Sequence, residues 1–279
     1  MHFHRFDEPG KVKLDRISEE PPPNITKQEA RDRFEKLGEE LFELQDWMWG
    51  ARTHSVLLIL QGRDAAGKDG AVKHMSGALN PRGVVVTSFG VPTQEEREHD
   101  FLWRVHGPVP RAGRFAIFNR SHYEDVLVAR VKGLEPKPVW KERYGLINAF
   151  ERTLAAANCI ILKFFLHITR EEQEKRLMAR EKEPADAWKL SIDDWKDRAL
   201  WDEYTEAYED AIGRCASPDA PWIVVPANAK WYRDLVIGEA LVAAMRPHRQ
   251  AWRKTLDAEG KVRRRDLKEW RAKHGTSNT

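Results

Sequence analysis

Apolar residues recur along this chain with two different spacings. Short runs of consecutive apolar residues, of which 56–60 is the strongest, have the length of buried strands. Between these runs the apolar residues stand three or four positions apart, which is the spacing of one helix face. The predicted strands are 55–61, 84–89, 114–118, 159–167 and 222–225, and the predicted helices are about 69–79, 94–105, 121–131, 138–156, 170–181, 193–213 and 231–245.

This alternation of strands and helices predicts an α/β fold with a parallel sheet that helices cover on both faces. A preceding helix should begin at about Thr26, because Glu29 stands three residues further on and can complete a capping box. Residues 1–25, which contain a run of three prolines, should form an irregular N-terminal arm. The apolar face of the preceding helix would consist of Phe34, Leu37, Leu41, Leu44 and Met48.

Composition narrows the class of protein without naming a ligand. With 41% hydrophobic and 33% charged residues among 279, the chain can build the core of one large domain, and its apolar runs are far shorter than the roughly 18–20 residues of a membrane span. The first ten residues lack a signal-peptide pattern, and the two cysteines form no CxxC pair, which favours a reducing cytoplasm and no zinc site. We therefore expect a cytoplasmic protein without a membrane partner. A net charge of +3 does not by itself predict a polyanionic ligand.

Candidate chemistry begins directly after the strongest strand. Gly62, Gly67 and Lys68 form the pattern GxxxxGK, a Walker A loop, between that strand and the next predicted helix. Small residues let backbone N–H groups approach phosphate oxygens, the helix N-terminus adds a favourable dipole, and the lysine adds a positive charge. The predicted phosphate-binding residues of this segment are Ala65, Ala66, Gly67, Lys68, Asp69, Gly70 and Lys73.

Two residues depart from the common nucleoside-triphosphatase loop. Asp69 replaces the Ser or Thr that binds magnesium there, and Asp64 places a carboxylate within an anion cradle. An unpaired carboxylate would repel the ligand, so we expect Asp64 to hold a metal or to accept a proton. The alternative is a tight turn without a ligand, which the order of strand, loop and helix disfavours.

A second group of polar residues, Asn119, Arg120, His122, Glu124 and Asp125, follows the strand 114–118. Ligands of such sheets lie at the carboxyl ends of the strands, so this group should lie near the glycine-rich loop and contribute to phosphate or nucleotide binding. Arginine binds phosphate through its planar fork, and adjacent carboxylates suit magnesium. The histidine could carry a phosphoryl group, although a packed histidine is the favoured interpretation. The alternative for the whole group is a solvated helix start.

Several strings follow one another along the chain, and together they resemble a known family. They are GRDAAGKDG at 62–70, SFGVPT at 88–93, HDFLWRVH at 99–106, FNRSHYEDVLVARV at 118–131, ILKFFLHIT at 161–169, WKLS at 188–191, and APW, VVPA and KWYR within 220–233. From about residue 11 to 246 these blocks resemble the second polyphosphate kinase family, whose members transfer phosphoryl groups between inorganic polyphosphate and nucleotides. Ordered blocks are far more specific than the loop alone.

The resemblance implies a P-loop kinase-like fold, a helical lid at about 170–200, a basic channel for polyphosphate, and Mg2+, with Mn2+ as a substitute. By position it implies that Asp64 and Asp125 bind the metal, that Lys68 binds phosphate and that Arg120 is the clamp. These four are the expected catalytic residues. Glu124 occurs in the subclass that phosphorylates both nucleoside mono- and diphosphates, so the expected substrates are polyphosphate with AMP, ADP and ATP.

The resemblance also implies a polyphosphate-binding role for basic residues of the lid. Arg176 and Arg180 are four residues apart and therefore share a helix face, and Lys182 and Lys189 follow. Their ordinary alternative is a solvated charged face. Relatives often carry a basic pair where this chain has Asp and Ala at 186–187, which weakens the expected grip on a long polyanion.

The chain is thus divided into the arm (1–25), a P-loop phosphotransferase domain with its lid (26–246) and a basic extension (247–279) that contains Trp252 and Trp270. The extension lies outside the resemblance. It could contact polyphosphate or nucleic acid, or it could be a helical appendage at an oligomer interface. We expect a homo-oligomer, either a dimer or a tetramer.

Two rival functions remain open at this stage. An ATP-dependent nucleoside monophosphate kinase is disfavoured by Asp69 and by the carboxylate of Asp64 within the loop. A nucleic-acid-binding module built on the basic extension is disfavoured because it would leave the acidic residues of the loop without a purpose, so a nucleic acid partner is not expected.

Overall fold

The computed structural model describes residues 3–183 and 190–274. Its centre is a six-stranded sheet whose strands, in chain order, are β1 (His4–Phe6), β2 (Ser55–Gly62), β3 (Val84–Ser88), β4 (Phe115–Asn119), β5 (Cys159–His167) and β6 (Trp222–Pro226). The spatial order is β3–β4–β2–β5–β6–β1, and all neighbours are parallel except β1 and β6. The strand that precedes the glycine-rich loop therefore lies in the middle of the sheet.

The five predicted strands are confirmed to within one residue at each end, whereas the arm differs from its prediction. His4 pairs with Val224 and Phe6 with Trp222, so β1 adds an antiparallel edge and the sheet is mixed instead of wholly parallel. Three residues are too few to show a period-two pattern, so the sequence contains no signal for this strand. The following segment is not loose either, because the side chain of Leu14 is buried.

Helices occupy both faces of this sheet. They are α1 (Lys27–Ala51), α2 (Lys68–Gly77), α3 (Gln94–Glu98), α4 (Trp103–His106), α5 (Val128–Val131), α6 (Lys137–Ala156), α7 (Arg170–Lys182), α8 (Ile192–Ala199), α9 (Trp201–Arg214), α10 (Lys230–Met245) and α11 (Arg249–His274). The predicted capping box opens α1: the Thr26 hydroxyl accepts a hydrogen bond from the Glu29 backbone N–H, and the Glu29 carboxylate accepts one from the Thr26 N–H.

Three of the predicted helices are interrupted. The segment 94–105 divides into α3 and α4, and 193–213 divides into α8 and α9 at Leu200. The segment 121–131 consists of a 3-10 helix, His122–Asp125, followed by the single turn of α5. Local hydrogen bonds cause the last of these breaks, because the Ser121 hydroxyl accepts from the Tyr123 N–H and the Ser121 carbonyl accepts from the Glu124 N–H.

The core divides according to the pleat of the central strand. Leu58 and Leu60 of β2 point to the layer of α1, α2 and α10, whereas Leu57 and Ile59 point to the opposite layer. All four side chains are fully buried, as expected for a strand covered on both faces. The sheet thereby fixes the strand ends, and with them the loops at its carboxyl edge.

The basic extension begins inside the folded body. Trp252 of α11 is fully buried in the cluster that contains α1 and α10, and its indole N–H contacts His54 Nδ1 at 3.1 Å. The helix then passes the end of α1, and from 261 to 274 every residue is exposed. The extension is helical from Arg249 to His274.

Candidate active site

A cleft of about 620 Å³ lies at the carboxyl edge of the sheet. The loop between β2 and α2 forms its floor, the end of β4 forms one wall, and α7, α8 and α10 form the others. Ligand sites of open parallel sheets occur at this edge. The charged side chains that line the cleft are Asp64, Lys68, Asp69, Arg120, Arg176, Arg180, Glu183, Asp194, Lys230 and Arg233.

The glycine-rich loop requires glycine at position 67. Gly67 has a φ of 100°, which disfavours other residues, and a side chain there would collide with the guanidinium of Arg233. Lys68 opens α2, and its ammonium donates to the carbonyl oxygens of Gly62 (2.7 Å) and Arg63 (3.0 Å). Burial and the charge of Arg120 lower the pKa of Lys68 to about 8.

Arg120 joins the loop to the second predicted group. Its backbone has a φ of 62°, an uncommon value for a residue with a side chain. Its guanidinium donates to Asp64 Oδ1 at 2.5 Å and to Glu124 Oε2 at 3.1 Å. Burial alone would raise the pKa of the Asp64 carboxyl, but Lys68 and Arg120 hold that pKa below its ordinary value. The structure thus brings four predicted site residues together as an alternating array of charges.

Asp69 and Asn119 form the contact between the start of α2 and the end of β4. The Asn119 amide donates to Asp69 Oδ1 at 2.8 Å, and both residues line the cleft. Asp69, which occupies the position of the usual magnesium-binding hydroxyl, therefore orients its neighbour across the floor of the cleft.

Other predicted residues do not reach the cleft. His122 is fully buried and contacts Glu151 Oε1 at 3.3 Å, which agrees with the packed interpretation and contradicts its inclusion among the phosphate contacts. Asp125 is turned towards Arg104 (3.3 Å) and Arg143 (3.7 Å) and is absent from the cleft lining. Burial raises the pKa of Asp125 against the attraction of these two arginines.

Two of the predicted lysines also lie elsewhere. Lys73 borders a separate groove between α1 and α2, and Lys182 is exposed at the end of α7. Both positions follow from helix geometry, because Lys73 is five residues after Lys68 and Lys182 is two residues after Arg180, separations that place these side chains on different faces of the helices. Lys189 lies outside the described residues.

The two arginines on the shared face of α7 have different environments. Arg176 is buried, and its guanidinium donates to the carbonyl oxygens of Ala65, Ala66, Ala227 and Asn228 at 2.8–3.1 Å. It therefore joins the glycine-rich loop to the residues that follow β6. Arg180, one turn later, forms a 3.0 Å ion pair with Asp194 of α8 at the open side of the cleft. Of the two, Arg180 has the position expected of a cleft cation.

Sequence reasoning missed four charged residues of the cleft, one of which is Glu183 after the end of α7. Arg233 donates to the Gly67 carbonyl at 2.9 Å and forms an ion pair with Asp234. Lys230 stands one turn earlier on α10, and Asp194 faces Arg180. The KWYR string at 230–233 marks two of them, but only the packing of α10 beside the loop assigns them to the cleft.

Arg63 connects the glycine-rich loop to helix α9. The Arg63 guanidinium lies 3.8 Å from the ring centre of Trp201 and donates to the Trp201 carbonyl and to the Thr205 hydroxyl. This cation–π contact joins the phosphate loop to the start of α9. The segment 170–200, predicted as a lid, is therefore attached to the loop through α7 on one side and α9 on the other.

The mixed but largely parallel sheet and the glycine-rich loop that opens α2 define an α/β protein of P-loop-like fold. The model of the polyphosphate kinase 2 (PPK2) family matches residues 24–252, and the chain belongs to this family. The match begins later than residue 11, where the resemblance was expected to start, and it ends beyond residue 246, so that it includes the buried Trp252.

Individual relatives agree with this membership. An AMP/ADP-polyphosphate phosphotransferase of Meiothermus ruber is 46% identical over 247 residues, which are 88% of this chain and 92% of the relative. An ADP-polyphosphate phosphotransferase of Rhodopseudomonas palustris is 38% identical over 84% of this chain and 86% of its own. The crystal structure of polyphosphate kinase 2 from Arthrobacter aurescens is similar with a TM-score of 0.81 at 40% identity, covering 84% of this chain and 85% of that one.

Among residues 3–183 and 190–274, no helix is both long and apolar enough to cross a membrane.

Proposed function

We propose that this chain transfers a phosphoryl group reversibly between inorganic polyphosphate and nucleotides, with AMP and ADP as acceptors. The observation that carries the proposal is the cleft in which Lys68, Arg120 and the amides of the glycine-rich loop surround one space. The relative from Meiothermus ruber, whose name states both acceptors, supports the choice of substrates.

The cleft suits phosphoryl transfer because that reaction depends mainly on positioning and on neutralisation of charge. Lys68 is held by two carbonyl oxygens and can turn from them to a phosphate. Arg120 is shared by two carboxylates, so a phosphate oxygen would replace one of these partners. Asp64 carries a negative charge at neutral pH and can accept a hydrogen bond or proton from the acceptor phosphate.

The proposal includes Mg2+, or Mn2+ in its place, bound at Asp64. Magnesium in phosphotransferases is usually held by one or two carboxylates together with substrate phosphates, and a cleft-lining carboxylate at the phosphate loop meets that requirement. Within the described residues no three His, Cys, Asp or Glu side chains form a site of their own for a metal. Asp125, the second predicted ligand, could take part only after Arg104 and Arg143 release it. Bound metal would neutralise charge on the phosphates.

The direct test is incubation of the purified chain with polyphosphate, Mg2+ and AMP in the absence of ATP. We expect ADP first and ATP later, separated by anion-exchange chromatography. Asp64→Asn and Lys68→Ala should each lower turnover by about two orders of magnitude, as for loss of one transition-state contact. Product formation from ATP and AMP alone, with none from polyphosphate, would support the rival ATP-dependent kinase instead.

The same proposal keeps three expectations that activity assays do not address. The chain should be cytoplasmic and a homo-oligomer, either a dimer or a tetramer, and the segment 170–200 should close over bound polyphosphate as a lid. Light scattering after size-exclusion chromatography measures the oligomeric state directly. Protection of 170–200 from proteolysis by added polyphosphate measures the closure.

A further inference from the structure

A fully buried network of polar groups lies behind the cleft. Lys163, in the middle of β5, donates to three acceptors: the Tyr123 hydroxyl (2.9 Å), Glu151 Oε2 (2.5 Å) and the Cys215 carbonyl (2.5 Å). Glu151 of α6 accepts from the Tyr123 hydroxyl through Oε1 at 2.8 Å, and His122 Nε2 contacts the same oxygen at 3.3 Å. The side chains of Lys163 and Glu151 are 0% and 3% exposed.

The burial of this ion pair is not in itself evidence that the pair stabilises the fold. Burial removes both charges from water, and buried pairs replaced by apolar residues of similar size often leave a protein equally stable. Burial would raise the pKa of Glu151, but Lys163 and His122 hold that pKa below its ordinary value. Burial raises the pKa of Tyr123 well above its ordinary value, so its hydroxyl remains a donor to Glu151. Neither Lys163 nor Glu151 lines the cleft.

The network is attached to the segment that carries the clamp. His122 and Tyr123 belong to the 3-10 helix that also contains Glu124, and Arg120 stands just before it. Arg120 lines the cleft and pairs with Glu124, which borders a small adjoining cavity, whereas His122 and Tyr123 point into the core. One side of this short helix is therefore paired with the clamp, and the other side is buried in the polar network.

The backbone of Arg120 explains why an anchor is required. A residue with a side chain persists at a φ of 62° only where its neighbours restrict it. On the sheet side, the Arg120 N–H donates to the Leu60 carbonyl at 3.0 Å, and Gln61 Nε2 donates to the Ser121 hydroxyl at 3.1 Å. On the side that follows Arg120 in the chain, the restraint comes from Tyr123, whose hydroxyl donates to the Glu151 carboxylate.

We propose that Glu151 and Lys163 are positioning residues for phosphoryl transfer: through Tyr123 and His122 they hold the clamp segment 120–125 in its cleft-facing conformation. Glu151 is the acceptor that fixes both side chains, and Lys163 fixes Glu151. The role rests on the proposed phosphotransfer function. It predicts that loss of the acceptor slows the chemical step without weakening the binding of polyphosphate.

Two double variants separate the acceptor from the charge. Glu151→Met with Lys163→Met removes the ion pair and the acceptor, whereas Glu151→Gln with Lys163→Met removes the ion pair but leaves an amide oxygen for Tyr123 and His122. We expect the Met/Met variant to lose about tenfold to a hundredfold in kcat at a nearly unchanged KM for polyphosphate, as for a small displacement of a catalytic group. The Gln/Met variant should retain kcat within about threefold, since the hydrogen bonds persist.

Leu44→Ala is the control for general destabilisation, because Leu44 is fully buried in the layer of α1. Assays are run at temperatures equally far below each variant's Tm. Equal kcat losses in Met/Met, Gln/Met and Leu44→Ala would overturn the proposal, as would a change confined to KM.

Hydrogen exchange provides a readout that does not depend on activity. Peptides covering 120–125 should exchange faster in the Met/Met variant than in the Gln/Met variant, while peptides from α1 exchange alike. An inactive wild-type chain would refute the proposed function and leave this comparison intact. Identical exchange of 120–125 in the two variants would refute the positioning role.

Discussion

Replacing Arg176 by lysine distinguishes a brace of the phosphate loop from a polyphosphate-binding residue of the lid. The guanidinium donates to four backbone carbonyl oxygens, two in the phosphate loop and two after β6, and it also pairs with Glu172. A lysine ammonium is a point donor and cannot span both pairs of carbonyls from one position. Arg176→Lys keeps the charge and removes this geometry.

The expected loss follows from the number of hydrogen bonds. If lysine retains two of the four, two charge-assisted hydrogen bonds are lost at about 1.5–3 kcal/mol each. Water can reach part of the vacated space, so we expect about 2–4 kcal/mol of lost stability, which lowers Tm by roughly 4–16 °C at 2–4 °C per kcal/mol. The carbonyls of Ala65 and Ala66 would move with the loop, so kcat should fall while KM for polyphosphate changes little.

Thermal unfolding and steady-state kinetics with polyphosphate and AMP measure both effects. Arg180→Lys is the matched control, because Arg180 is one turn away on the same helix and forms a single ion pair with Asp194 at the cleft opening. It should leave Tm within about 2 °C, as for a partly exposed pair, and raise KM for polyphosphate. An unchanged Tm in Arg176→Lys together with a raised, salt-dependent KM would refute the brace and restore the lid role.

Three further outcomes are expected. Because burial lowers the folded pKa of Lys68 to about 8, its charge is lost as pH rises past that value, so kcat/KM should have an alkaline limb near pH 8 that Lys68→Arg removes. The same lowered pKa makes Lys68 favour the fold more as pH rises from about 8 to about 10.4, so the Tm of the wild type minus that of Lys68→Met should increase over this range, and a constant difference would contradict the shift. Glu124→Asn removes one carboxylate partner of the clamp and should change the AMP to ADP ratio of kcat/KM several-fold, whereas an unchanged ratio would indicate only a helix-terminal charge. Truncation after Gly260 should leave Tm and AMP phosphorylation intact, because the described residues that it removes are all exposed. Truncation after Pro247 also removes the buried Trp252 and should therefore lower Tm. Loss of activity in a folded chain that ends at Gly260 would show that the tail belongs to the active site.

Local sequence determined much of this fold because each parallel strand carries its own signal. Strands covered on both faces are continuous apolar runs, and β2 and β5 were predicted to within a residue for that reason. The capping box at Thr26 and the GxxxxGK loop are equally local, since each depends on a few consecutive residues. The sequence also predicts that the glycine-rich loop lies near the end of β4, because parallel strands align their carboxyl ends.

Contacts between distant segments were decided by tertiary structure alone. The pairing of β1 with β6 joins residues more than two hundred positions apart, and Trp252 packs beside α1 only because α10 turns the chain back. The direction of each side chain in the segment 120–125 depends on which face meets the buried Lys163, so His122 points into the core while Glu124 reaches the clamp.

The division of roles between Arg176 and Arg180 has the same origin. Both are arginines on one helix face, and their sequence context does not separate them. Docking of α7 against the phosphate loop buries the first beneath four carbonyl oxygens and leaves the second at the cleft opening. Sequence therefore determined which residues could bind phosphate, and packing decided which of them face it, because a side chain's direction is set by the surfaces that meet around it.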